Sequence, residues 1–120
     1  MTDTNSVTSL MECVHEFADR RDWAQFHDPK NLAMALASEV GELNALLRWV
    51  RNEDADDAVS RSPLRERLLG EVGDVGILLL ALCSRARIDL GQAVVEKLRA
   101  NEDRYPAHLA MHNPERPHAK

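Results

Sequence analysis

The chain reads as an all-α protein, a bundle of four helices. Three observations predict this. Apolar residues recur every three to four positions in four long segments. Leucine and alanine outweigh the β-branched residues, and aromatics make up only 4% of the chain, a balance that favours helices over strands. No strand-like alternation competes with the helical period anywhere. At 120 residues one domain with a sizeable core is expected.

The first helix is expected over roughly Val7 to Arg21, with Leu10, Met11, Val14, Phe17 and Ala18 as its apolar stripe. The stretch from Asp22 to His27 reads as a loop holding Trp23, Phe26 and His27. Asp28-Pro29 then signals a helix start, with Asp as N-cap and Pro at the first position. That second helix runs to about Val50 on a stripe of Leu32, Leu36, Val40, Leu43, Leu47 and Val50. Asn52 to Ser62 is a polar connector, and Ser62-Pro63 repeats the start signal. The third helix runs to about Arg87, and Asp89 caps a fourth that ends near Arg104. Three prolines and three histidines (His108, His112 and His118) crowd the tail from Pro106, which is expected to be mobile.

Composition narrows the function. A net charge of −5 argues against a partner that is a nucleic-acid polymer. A small anionic ligand remains compatible, because metal ions bridge carboxylates to phosphates. Cys13 and Cys83 sit in helical patterns without a CxxC partner, so buried thiols are expected rather than a metal pair. Met1 to Ser9 is polar and carries no signal-peptide core. The longest apolar run, Val75 to Cys83, is too short to span a membrane. A reducing cytoplasm is the expected compartment.

The chemistry-bearing feature is a duplicated acidic tetrapeptide. Glu39-Val40-Gly41-Glu42 and Glu71-Val72-Gly73-Asp74 are separated by 28 residues. The i, i+3 spacing puts each pair of carboxylates on one helix face. Four acids on two adjacent helices make a hard oxygen site suited to Mg²⁺, with Mn²⁺ as the other candidate. Glu39 falls at the edge of the second helix's stripe, whereas Glu71 falls inside that of the third, between Leu68 and Val75. A carboxylate placed there must be protonated, paired with an arginine such as Arg48, Arg65 or Arg67, or bound to metal. Each pair encloses a glycine that costs roughly 1 kcal/mol relative to alanine within a helix, which suggests close helix approach at that level.

Other polar groups point the same way. Lys97, Asn101 and Arg104 share one stripe of the fourth helix that continues the apolar face of Leu90 and Val94, suiting a phosphate, with a solvated or snorkelling face as the alternative. Trp23, His27 and Trp49 offer planar surface for a nucleobase, with ordinary core filling as the alternative. His15 reads as a helix-surface residue. The third helix is apolar almost all round from Val75 to Cys83, so a monomer would expose part of it and association is expected.

These residues resemble the all-α MazG-like nucleoside triphosphate pyrophosphohydrolases. The acidic pattern Glu39-x-x-Glu42 with Glu71-x-x-Asp74 carries the likeness. Its flanks, Arg21 to His27, Pro29 to Leu32, Ile88 to Val94 and Arg104-Tyr105-Pro106, are similar to the dCTP pyrophosphatase branch. The likeness covers about residues 10 to 109, within an expected domain of 1–109 followed by a tail of 110–120. It implies a bundle assembled as a homodimer or a dimer of dimers, cutting a nucleoside triphosphate into the monophosphate and pyrophosphate with Mg²⁺. It implies Glu39, Glu42, Glu71 and Asp74 as metal ligands. It also implies Lys97, Asn101, Arg104 and the adjoining Tyr105 for phosphate, and Trp23, His27 and Trp49 for a cytosine base. One of Glu39 and Glu42 is the candidate catalytic base. Leu78 departs from the pattern, since such members commonly carry a tyrosine there; a broader substrate range is expected. Two alternatives stand beside this reading: a nucleotide-binding or protein-interaction module without turnover, and a phosphoribosyl-ATP pyrophosphohydrolase, which the Trp23–His27 segment fits less well.

Overall fold

A computed structural model describes residues 6–112 and is helical throughout them apart from turns and loops. Six helices occur among the described residues: α1 (Val7–Asp19), α2 (Pro29–Leu47), α3 (Ala55–Val59), α4 (Leu64–Ala86), α5 (Leu90–Arg104) and α6 (Ala107–Ala110). The four long ones are those the sequence predicts. The two short ones lie where a connector and a tail were expected. Residues 113–120, most of the expected mobile tail, lie outside the described residues, as does His118.

Local chemistry explains most boundaries. Ser6 Oγ accepts from the Ser9 amide at 3.1 Å and starts α1. Asp28 Oδ1 accepts from the Asn31 amide at 2.9 Å, with Pro29 following as expected. Asp89 does the same for α5 through the Gln92 amide at 3.0 Å. The start of α4 differs from expectation. Pro63 itself occupies the cap position and no side chain caps the helix. The Ser62 hydroxyl instead bonds the Glu66 carboxylate. At the other end Arg87 turns into the left-handed region at φ 57° and stops α4.

The described residues form two compact units, one ending at Arg87 and one beginning at Ile88. In the first, α2 and α4 pack most extensively, α1 lies against α4, and α3 touches α4. The apolar interior is thin: among the described residues only Leu32 and Cys83 are fully buried hydrophobics, at 2% and 4% exposure. Cys13 is half-buried, and no disulfide joins it to Cys83.

The α2 stripe needs one correction. Leu32, Leu36, Leu43, Leu47 and Val50 turn inward, but Val40 is 45% exposed and Glu39 takes the inward place between Leu36 and Leu43. On α4 the expected stripe of Leu64, Leu68, Val75, Leu79 and Leu82 is at least half-buried, with Glu71 inside it. The glycine expectation fails within one chain. A Cβ built on Gly41 or Gly73 would meet nothing within 4 Å, so no neighbour crowds either position.

In the second unit, Lys97 and Arg104 on α5 are exposed and Asn101 is half-buried. Val94, expected on an apolar face, is 48% exposed. Tyr105 ends the helix, its amide bonding the Asn101 carbonyl at 2.7 Å.

Candidate active site

The α2–α4 contact brings acids from both helices together. Glu39, Glu42 and Glu71 can each offer one carboxylate oxygen so that all three lie within 4.8 Å of one another. This follows from the two i, i+3 pairs: Glu39 and Glu71 project between the helices, and Glu42 stands one turn on from Glu39 at the exposed rim. Asp74, one turn beyond Glu71, is exposed and outside that triplet, yet its charge reaches both Glu39 and Glu71.

The burial is uneven within each side chain. Glu39 Oε2 and Glu71 Oε2 are both shut off from solvent without a hydrogen-bond partner. The arginines considered as partners are not supplied. The ion pairs found among the described residues, Arg20–Glu16, Arg51–Glu53 and Arg61–Asp57, lie elsewhere and are largely exposed. The cost appears in the acid strengths. Loss of hydration, and then the Glu42 charge, pushes the Glu39 carboxyl up to about 7. Glu71 is raised for the same two reasons in the same order.

Two buried acceptors without donors, in an all-oxygen set, fit a hard divalent cation. A cation there would supply the missing partner and lower both carboxyls to the charged form. The arrangement is chemically poised for anions that carry a metal, such as a polyphosphate.

A second feature gathers around the aromatic turn. Ala24–Phe26 forms a 3₁₀ turn between α1 and α2. Trp23 meets Phe17 edge-on with ring centroids 5.6 Å apart, and His27 likewise at 6.4 Å. Arg21 lies over the Phe17 ring at 3.7 Å. His27 and Ala24 help line a cavity of about 280 Å³ between α1 and the C-terminal part of α4. Trp23 and His27 are thus brought together as predicted. Trp49 is 85% exposed, under the Arg48 guanidinium at 5.4 Å, and has no ring contact with either.

The cavity also exposes what the sequence reading missed. His15 is exposed on α1, as expected of a helix-surface residue, and it lines this cavity together with Asp19, Ser84 and Arg85, a grouping that was not expected. Only the fold joins α1 to the end of α4, so spacing along the chain held no signal for this grouping. Lys97, Asn101, Arg104 and Tyr105 fall in the second unit, where the Arg104 guanidinium stands 5.7 Å from the Tyr105 ring centre.

No family model matches the chain. Individual relatives do. It is 47% identical over 97 residues to dCTP pyrophosphatase 1 of Mus musculus and 50% identical over 97 residues to that of Homo sapiens. Each match covers 79% of this chain, and the chain spans about half the length of these relatives (56%). The crystal structure of a pyrophosphatase from Archaeoglobus fulgidus superposes with a TM-score of 0.76 at 36% identity, covering 82% of this chain and 91% of that one. Among the described residues no helix is long and apolar enough to cross a membrane. Identity of 36% with 91% of the archaeal protein covered, on the same helical fold, places it in a family: the chain belongs to the MazG-like all-α pyrophosphohydrolases.

Proposed function

We propose that the protein hydrolyses a deoxynucleoside triphosphate, dCTP or a modified dCTP, to the monophosphate and pyrophosphate with Mg²⁺ at the acidic cluster. The observation that carries this is the pair of buried, unpartnered oxygens of Glu39 and Glu71 beside Glu42. The curated relatives named dCTP pyrophosphatase supply the substrate class.

Glu39, Glu42, Glu71 and Asp74 would hold the metal, with Mn²⁺ as a substitute. A divalent cation held by these acids would supply charge to neutralise the phosphates and polarise a water. Glu39 or Glu42 accepts a proton from the attacking water at a carboxylate oxygen. The oxygen bridge between the α- and β-phosphates breaks, and the water's oxygen ends on one of the two products. Lys97 and Arg104 stabilise the phosphate charge, with Asn101 and Tyr105 beside them. Trp23, His27 and Trp49 receive the base, which stacks on the rings.

The active form is a homodimer or homotetramer. Two facts support this. Leu69, Val72 and Ile77 on α4 are each at least half exposed in the single chain. The cavity at His27 is also displaced from the acids: Ala81 on its wall lies ten residues past Glu71 on α4, about 15 Å along the axis at 1.5 Å per residue. A second copy would complete a site that one chain leaves in two places. The cytoplasm is the proposed location. Incubation with a panel of dNTPs, NTPs and modified dCTPs plus Mg²⁺, reading pyrophosphate, tests the proposal; a binding module without turnover releases none.

A further inference from the structure

The turn that carries Trp23 and His27 is only partly held by apolar contact, the Trp23 ring edge-on to Phe17. Trp23 is 43% exposed and Phe26 60% exposed, so burial does not fix their orientation. The turn is a single 3₁₀ element of three residues, a weakly bonded conformation. Hydrogen bonds supply the rest of its hold. Most are local: the Trp23 amide to the Ala18 carbonyl at 3.0 Å, Gln25 Nε2 to the Asp22 carbonyl at 3.1 Å, and Asn31 Nδ2 to the Phe26 carbonyl at 3.2 Å. One is not. Arg85 on α4 donates from Nη1 to the Ala24 carbonyl at 2.9 Å, across 61 residues of sequence. Arg85 also lines the cavity beside Ala24 and His27.

We infer that Arg85 is a positioning residue for base recognition: by holding the Ala24 carbonyl it sets where His27 stands in the cavity wall, and with it the Trp23 ring that meets His27 edge-on. The inference rests on the base-pocket reading of those two residues. A guanidinium suits the task because its donors are fixed in one plane and the bond to a carbonyl is charge-assisted. Preorganising the turn spares the substrate the cost of ordering it on binding. Arg85 acts through the turn, at a distance from the reacting atoms. It lies fourteen residues past Glu71, about 21 Å along the helix axis.

The test compares Arg85→Ala, Arg85→Gln and Arg85→Lys with the wild type. For the Ala and Gln variants KM for dCTP should rise about five- to tenfold while kcat stays within twofold. The Mg²⁺ concentration for half-maximal rate should not move. Lysine still reaches the carbonyl with one donor, so Arg85→Lys should return KM to within about threefold of wild type. In a Trp49→Phe background, where Trp23 is the remaining tryptophan, acrylamide quenching should increase with Ala and Gln and stay unchanged with Lys. The Gln variant serves if Arg85→Ala does not fold. A KM within twofold of wild type in the Gln variant, or a fall in kcat at unchanged KM, overturns the inference. If the wild type turns over no dCTP, the nucleotide reading has failed on its own, and the quenching alone decides: unchanged quenching in the Gln variant refutes the tether.

Discussion

Glu39 on α2 and Glu71 on α4 face each other with one oxygen apiece removed from solvent and left without a hydrogen-bond partner. Two like-charged groups in that position oppose the packing of the two helices that hold the first unit together. The molecule lessens the conflict by holding protons: the Glu39 carboxyl sits at about 7 rather than 4.5, raised first by lost hydration and then by Glu42.

That shift predicts a pH dependence. Below 4.5 the Glu39 carboxyl is neutral in both the folded and the unfolded chain. Between 4.5 and about 7 the unfolded chain gives up this proton first, so the folded state loses stability as pH rises through that window. Without metal, Tm of the wild type should fall across this range relative to Glu39→Gln, which has no proton to lose. Mg²⁺ should restore the wild type at pH 8 and raise Glu39→Gln much less. Thermal melts at pH 5 and pH 8, with Mg²⁺ and with chelator, check both halves.

The helix register gives a stability prediction. Leu32 is 2% exposed, and Leu32→Ala should destabilise by about 2–5 kcal/mol through the cavity it leaves. Val40→Ala, at a position 45% exposed, should cost far less. Urea unfolding of the two variants separates these values. Comparable losses would put Val40, not Glu39, on the inward face.

That register shows how far the sequence could be read. Four long helices, the caps at Asp28 and Asp89 and the inward place of Glu71 all followed from period and capping chemistry. Glu39 was set at the edge because apolarity scoring favours its neighbour Val40, whereas packing against α4 turns the acid inward. The short α3 lacked an apolar stripe to announce it. Ser62 carried a start signal, but its hydroxyl is engaged by Glu66 and Pro63 takes the cap. Arg85 was silent because the Ala24 carbonyl it bonds lies on another element.

Association is open to direct measurement. Ile77 on α4 is 50% exposed in the single chain. Sedimentation at micromolar concentration should give a dimer or tetramer, and Ile77→Arg should shift it towards monomer with loss of activity. A fully active monomer would refute the shared site.

The proposed base recognition divides between stacking and hydrogen bonding. Stacking on one aromatic face contributes ~1–3 kcal/mol per base with little discrimination. Trp49→Ala should therefore raise KM for every substrate by roughly five- to a hundredfold. His27→Ala should instead narrow the kcat/KM gap between dCTP and purine nucleotides, since hydrogen bonds supply selectivity. Leu78, without a hydroxyl, should leave the wild type broader in substrate range. Steady-state kinetics on dCTP, dUTP, dATP and dGTP resolves the two effects.

The central claim is tested most directly by identifying the products formed from dCTP. With Mg²⁺, phosphorus NMR should show dCMP and pyrophosphate appearing in equal amounts, at a higher kcat/KM than for dGTP. Chelator should stop the reaction, and Glu71→Ala should lack it while keeping its helical circular dichroism. Release of dCDP and inorganic phosphate, or full turnover by a folded Glu71→Ala protein, would contradict the account.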